Sequence, residues 1–89
     1  MGEYKVILHR DAARFYQKAN QKLQSRIAGA IDCISDYPQT DSNFRKLHGK
    51  LAHLFRYRTG NIRLLFEIHE DIKTIRIVTI DYRGSVYKD

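Results

Sequence analysis

The sequence predicts an α+β fold in the order β-α-α-β-β-β, with two helices packed on one face of a predominantly antiparallel four-stranded sheet. Apolar residues recur with period two near the N-terminus and in three further runs after residue 52. Between them, from Ala12 to Ile34, they recur at helical spacing. A stretch of turn formers without periodicity, Pro38-Gln39-Thr40-Asp41-Ser42-Asn43, separates the helical half from the strand-rich half.

Tyr4, Val6 and Leu8 alternate in Tyr4-Lys5-Val6-Ile7-Leu8-His9, which predicts the first strand, with Ile7 on its opposite face. Asp11 is placed to cap a short helix carrying Ala12, Phe15, Tyr16 and Ala19 on one side. After Asn20-Gln21, the residues Leu23, Ile27, Ile31 and Ile34 mark a second amphipathic helix, which Tyr37-Pro38 ends. Gly29 within it permits close packing against the first helix or the sheet. Phe44 to Gly49 is short and irregular, with Leu47 tucked inward. The last three strands are expected at about His53–Arg58, Asn61–His69 and Thr74–Asp81. Thr59-Gly60-Asn61 makes the first connection and Glu70-Asp71 the second, with Ile72 opening the final strand.

With 89 residues the chain supports one domain, residues 1–89, and one modest core, so a large substrate must be met on the surface. The apolar runs are far shorter than the ~20 residues that cross a bilayer, and no signal-peptide core follows Met1. The expectation is a soluble, cytoplasmic protein without membrane contact. Cys33 is the single cysteine and falls in the helical pattern, which predicts a small core residue in a reducing compartment. No Cys/His/acid cluster has metal-ligand spacing, so neither metal nor other cofactor is implied.

Charge narrows the partner. The formal net charge is +6, and Arg45, Lys46, Lys50, Arg56, Arg58 and Arg63 lie in a 19-residue segment free of acids. The rest of the chain carries ten charges of each sign, so the whole excess sits on one hairpin and its approach. Clustered cations of this kind gain by displacing the condensed counterions of a polyanion, although a basic surface kept for solubility has the same composition.

Strand alternation sorts the hairpin into faces. Phe55 and Tyr57 face the helices, as do Ile62, Leu64, Phe66 and Ile68. That leaves Leu54, Arg56, Arg58, Arg63, Leu65 and Glu67 on the open face. Among acids placed to compensate three adjacent arginines, only Glu67 is available, and guanidinium groups match phosphate oxygens. The reading is a phosphate-binding face of Arg56 and Arg58, with Lys46 and Lys50 on its approach. Downstream, Arg83 and Tyr87 reach the edge of that face if Val86 anchors the tail. His53 is in phase with core-facing Phe55 and reads as structural, and His9 and His69 at strand ends read the same way.

These motifs resemble the RelE/ParE superfamily of bacterial toxins from type II toxin–antitoxin pairs. The likeness runs from the opening strand and helix pair through Lys46-Leu47-His48-Gly49 and the Phe55–Leu64 hairpin to Tyr82-Arg83-Gly84-Ser85-Val86-Tyr87. RelE-like members cut mRNA in the ribosomal decoding site, whereas ParE-like members act on DNA gyrase and lack the nuclease residues. Arg56, Arg58, Arg63, Arg83 and Tyr87 match the nuclease pattern, so the resemblance implies a ribosome-dependent endoribonuclease, an mRNA interferase. Its chemistry is metal-free attack of a ribose 2′-OH on the adjacent phosphate, with Arg63 and Arg83 stabilising charge and Tyr87 moving the proton. The RelE pattern has lysines where this chain has Arg56 and Arg58, and arginine is a poor base. The resemblance also implies mRNA and 16S rRNA as contacts, a cognate antitoxin, and operator DNA only through the antitoxin complex. A gyrase inhibitor of the ParE type and an inactive RNA-binding relative are the alternatives.

Overall fold

The computed structural model describes residues 3–82. The elements are β1 (Lys5–Leu8), α1 (Arg10–Lys18), α2 (Gln21–Ser35), β2 (Phe44–Lys46), β3 (Phe55–Thr59), β4 (Ile62–His69) and β5 (Thr74–Tyr82), with 3-10 turns at Gly49–Leu51 and Glu70–Ile72. They form a five-stranded sheet in the order β1-β5-β4-β3-β2. β1 runs parallel to β5, and every other pairing is antiparallel. The α+β architecture is the expected one, with one strand more.

That extra strand is β2, in the segment expected to be irregular. Its three residues are too few to show alternation, and it is recognisable only from its pairing, Phe44 opposite Tyr57 and Lys46 opposite Phe55. Three smaller corrections follow from the ends of elements. The residue before α1 is His9, without a side-chain cap bond, and Asp11 lies in the first turn instead, where its charge suits the helix dipole. Ile72 does not open β5 but stands 65% exposed in a 3-10 turn, which Lys73 ends at φ 50°. Cys33 is exposed, because the buried stripe of α2 runs through Ile27, Ala30 and Ile34 and turns position 33 outward.

The helix-facing side of the sheet builds the core. Ile62, Leu64 and Phe66 of β4 and Ile75 and Ile77 of β5 have no exposed surface. Phe66 stacks on Phe55 at 6.0 Å between ring centroids and meets the edge of Phe44 at 5.2 Å. Asn20 fixes the start of α2 by accepting the Leu23 N–H at 2.8 Å. A register shift between Leu65 and Phe66 breaks the β4–β5 ladder, so that Ile77 pairs with Phe66 while Thr79 pairs with Leu65. The shift leaves Ile80 on the core face and Asp81 on the other. Among the described residues no helix is long and apolar enough to cross a membrane.

Candidate nucleic-acid interface

The sheet face away from the helices carries the hairpin arginines. Registers fix their neighbours: Arg45 lies directly opposite Arg56, and Arg58 directly opposite Arg63. Two like-charge pairs in adjacent rows are unfavourable in a bare sheet. The geometry is maintained by the hairpin, whose two-residue connection Gly60-Asn61 uses a positive φ of 58° at Gly60. Along the β2 side, the Arg58 N–H donates to the Asn43 carbonyl at 3.1 Å, which extends the ladder past the end of β2.

The face is less open than alternation alone suggests. Arg56 retains 6% of its surface and Arg63 1%, whereas Arg58 is half-buried and Arg45 exposed. The compensating acid also differs from the expected one. Asp81 of β5 pairs in register with Arg63, and its Oδ1 lies 3.8 Å from Arg63 Nε. Burial pushes the Asp81 carboxyl above its ordinary pKa, and attraction to Arg63 across this long contact only partly opposes the shift. Nothing in the chain order places residue 81 beside residue 63, so this partner emerges only with the register.

Glu67, the acid expected to compensate the arginines, belongs to a different group farther along the same face. It accepts from Arg76 Nη1 at 3.3 Å and lies 3.0 Å from His69 Nε2. Arg76 in turn donates through Nη2 to His9 Nδ1 at 2.7 Å. The contact with His69, followed by that with Arg76, holds the Glu67 carboxyl below its ordinary pKa against the opposing effect of burial. His9 and His69 therefore join a polar cluster rather than serving as plain strand-end residues.

The lysines on the approach do not join the arginines. Lys46 projects from the helix side of β2, with Nζ 5.2 Å from the Phe55 ring centroid and donating to the Ala52 carbonyl at 2.8 Å. Lys50 is exposed in the 3-10 turn at Gly49–Leu51. His53 is exposed in the turn before β3, which begins two residues later, so the expectation of a structural, core-phased histidine fails. Arg83, Val86 and Tyr87 lie outside the described residues. Sequence reasoning missed Asp81 as a partner and Arg45 as a member of the arginine rows. For Arg45 the available signal was its place two residues before Leu47, inside the acid-free segment.

The site therefore consists of four guanidinium groups from β2, β3 and β4 over one buried carboxylate from β5. Guanidinium groups offer paired N–H donors of the kind that phosphate oxygens accept, and they cannot act as a base.

Comparison with known proteins places this arrangement. The family model described as ParE toxin of the type II toxin–antitoxin system parDE matches residues 3–87. Among solved structures, the toxin–antitoxin complex RelBE2 from Mycobacterium tuberculosis is similar at 27% identity with a TM-score of 0.77, over 90% of this chain and 98% of that one. The archaeal RelE–RelB complex from Pyrococcus horikoshii is similar at 24% identity and TM-score 0.75, over 93% and 98%. The isolated E. coli RelE toxin shares 14% identity at TM-score 0.74, over 93% and 89%, a likeness of fold alone. No curated protein sequence matches. A family match spanning nearly the whole chain, on a sheet and helix pair of this topology, makes the protein a member of the RelE/ParE superfamily of toxins of type II toxin–antitoxin systems.

Proposed function

We propose that this toxin is a ribosome-dependent endoribonuclease that cleaves mRNA. The observation that supports it is the pair of cross-strand arginine pairings, Arg45 opposite Arg56 and Arg58 opposite Arg63, which gather four guanidinium groups on one sheet face. Guanidinium offers permanently charged, paired donors in the geometry of phosphate oxygens.

In the reaction, a ribose 2′-oxygen attacks the adjacent phosphorus, its proton passes to a base, and the 5′-oxygen leaves with a proton from an acid. The products are a 2′,3′-cyclic phosphate and a 5′-hydroxyl. Arg58 and Arg45 are the accessible donors for the RNA backbone, and Arg56 adds charge beneath them. Arg63, anchored by Asp81, stabilises the phosphorane with a charge already fixed in place, which is where preorganised electrostatics contribute most. Arg83 is proposed as the second stabiliser and Tyr87 as the proton-transfer group, a phenol whose ordinary pKa of about 10 falls beside cations. Lys46 and Lys50, away from the arginine rows, serve as outlying backbone contacts.

The partner proteins of the similar structures suggest the regulator. RelBE2 and the archaeal RelE–RelB were solved as toxin–antitoxin complexes. A cognate antitoxin with an acidic segment over the arginine rows would neutralise them, and the complex rather than the toxin alone would bind operator DNA. Contacts to 16S rRNA and a cytoplasmic site of action follow from the same reading.

Burial of Arg63 and Arg56 favours a second reading, a ParE-like inhibitor of DNA gyrase in which these arginines brace the sheet. Expressing the toxin in bacteria and mapping mRNA 5′ ends separates the two. Codon-dependent cleavage that disappears in Tyr87→Phe and Arg58→Ala is expected. Growth arrest with intact mRNA, relieved by a toxin-resistant gyrase, would reject the nuclease.

A further inference from the structure

Around the edge of the sheet from the arginine rows, the hairpin turn and the start of α2 enclose a cavity of about 270 Å³ lined by Asn20, Lys22, Leu23, Arg26, Asn61 and Tyr82. At ~30 Å³ per water this is room for about nine waters, enough for a phosphodiester group with its nearest solvent. No acid lines it among the described residues. Lys22 and Arg26 stand four residues apart on α2, where like charges are neighbours and repel. Arg26 lies against the hairpin turn, its guanidinium occupying the space that a Cβ on Gly60 would fill. Asn20 spends its carbonyl oxygen on the Leu23 N–H at 2.8 Å, so its amide hydrogens remain for a ligand. Tyr82 is 48% exposed at the rim, with one edge against Phe15 at 5.5 Å between centroids, and offers a ring on which a base can stack.

We infer that this cavity is a second phosphate subsite for a single-stranded nucleic acid, continuous with the arginine rows. Tyr82 pairs in register with Ile62, one position beyond the Arg63–Asp81 pair, and Asn61 directly precedes Ile62. A backbone bound on the arginine face and leaving over the hairpin turn therefore meets Asn61, Arg26 and Lys22 in succession, with one base on Tyr82. The inference rests on the nucleic-acid reading of the sheet face and assigns it a direction of exit. The phosphates come either from the cut strand or from ribosomal RNA beside it.

The probe is a single-stranded heptanucleotide with 2′-O-methyl riboses, which cannot be cleaved, titrated by fluorescence anisotropy at several salt concentrations. Lys22 and Arg26 are exposed, so the double variant Lys22→Ala/Arg26→Gln should retain the wild-type circular dichroism spectrum. The expected result is weaker binding, with the slope of log K against log salt reduced by about 0.7 for each cation removed. The variant Arg45→Ala/Arg58→Ala in the same titration reports on the sheet face separately, so failure of either site is visible alone. Wild-type binding of the oligonucleotide together with a reduced slope toward purified ribosomes would assign the subsite to ribosomal RNA. Unchanged slopes toward both, or binding of an acidic peptide in preference to the oligonucleotide, would overturn it.

Discussion

Replacing Asp81 with asparagine removes the carboxylate in register with Arg63 and leaves its shape almost unchanged. Arg63 keeps 1% of its surface and stands 3.8 Å from Asp81 Oδ1. At that separation two unit charges attract by about 4 kcal/mol for an effective dielectric of about 20. Burial takes much of this back, as the raised pKa of Asp81 indicates, so the intact pair contributes little net stability. The raised pKa means that the neutral group suits the folded site better than the carboxylate, so a neutral amide of the same shape should leave stability near neutral pH within about 1 kcal/mol of the parent or raise it. Arg63→Met is a different matter, because breaking a buried pair by removing its cation costs up to about 3–5 kcal/mol. That is a large part of the roughly 4–13 kcal/mol that a chain of 89 residues at ~0.05–0.15 kcal/mol each has in hand. The double variant Arg63→Met/Asp81→Leu should return to within about 2 kcal/mol of the parent. Urea unfolding followed by circular dichroism measures all four proteins and the coupling between the two sites. The sign of the pH dependence is also fixed. With its folded pKa raised, Asp81 binds more protons folded than unfolded, so its contribution is full below the unfolded pKa and is lost as pH rises through the folded one. An Asp81→Asn variant destabilised by about 3 kcal/mol or more near neutral pH would refute the reasoning, because the carboxylate and not the neutral group would then be the form the fold prefers.

Three further outcomes follow from the same geometry. Phe66→Ala, which empties the centre of the aromatic cluster with Phe44 and Phe55, should cost about 3–5 kcal/mol in urea unfolding. Arg58→Thr should leave stability unchanged or raise it by about 0.2–1 kcal/mol by relieving the pair with Arg63, while weakening RNA binding in anisotropy titrations. Glu67→Gln should flatten the acid limb of the stability profile. The lowered carboxyl pKa of Glu67 gives stability present above its unfolded pKa and lost as pH falls through the folded one, which urea midpoints at stepped pH will register.

The α+β class and the inward-facing residues of the hairpin were legible because alternation and helical spacing record burial directly. Ile62, Leu64, Phe66 and Ile68 read as core and pack as core. What escaped depends on pairing between segments distant in the chain. β2 has three residues, and Phe44 becomes a strand residue only by lying opposite Tyr57. The same holds for the counter-charge: Glu67 is the nearest acid along β4, but its neighbour across the ladder is Arg76, and Arg63 finds Asp81 instead. Its place in the basic segment put Lys46 on the approach to the arginine face, whereas its position opposite Phe55 turns it to the helix side. Cys33 shows the limit of an apolar pattern on a helix only one stripe of which is covered, since Ala30 and Ile34 fill that stripe and leave no place for it.

β5 lies between β1 and β4 in the sheet although it is the last strand among the described residues. Pairing Lys5 with Thr74 closes a loop of roughly 70 residues, so β1 waits for its neighbour through nearly all of synthesis. A nascent chain that has exposed the Phe55–His69 hairpin already carries Arg56, Arg58 and Arg63, but not the Asp81 that anchors the last of them. The arginine face is thus complete only once β5 has been made, which gives a regulator a defined moment at which to bind. Stalled chains ending before Thr74 should be cut readily by added protease and should not be toxic.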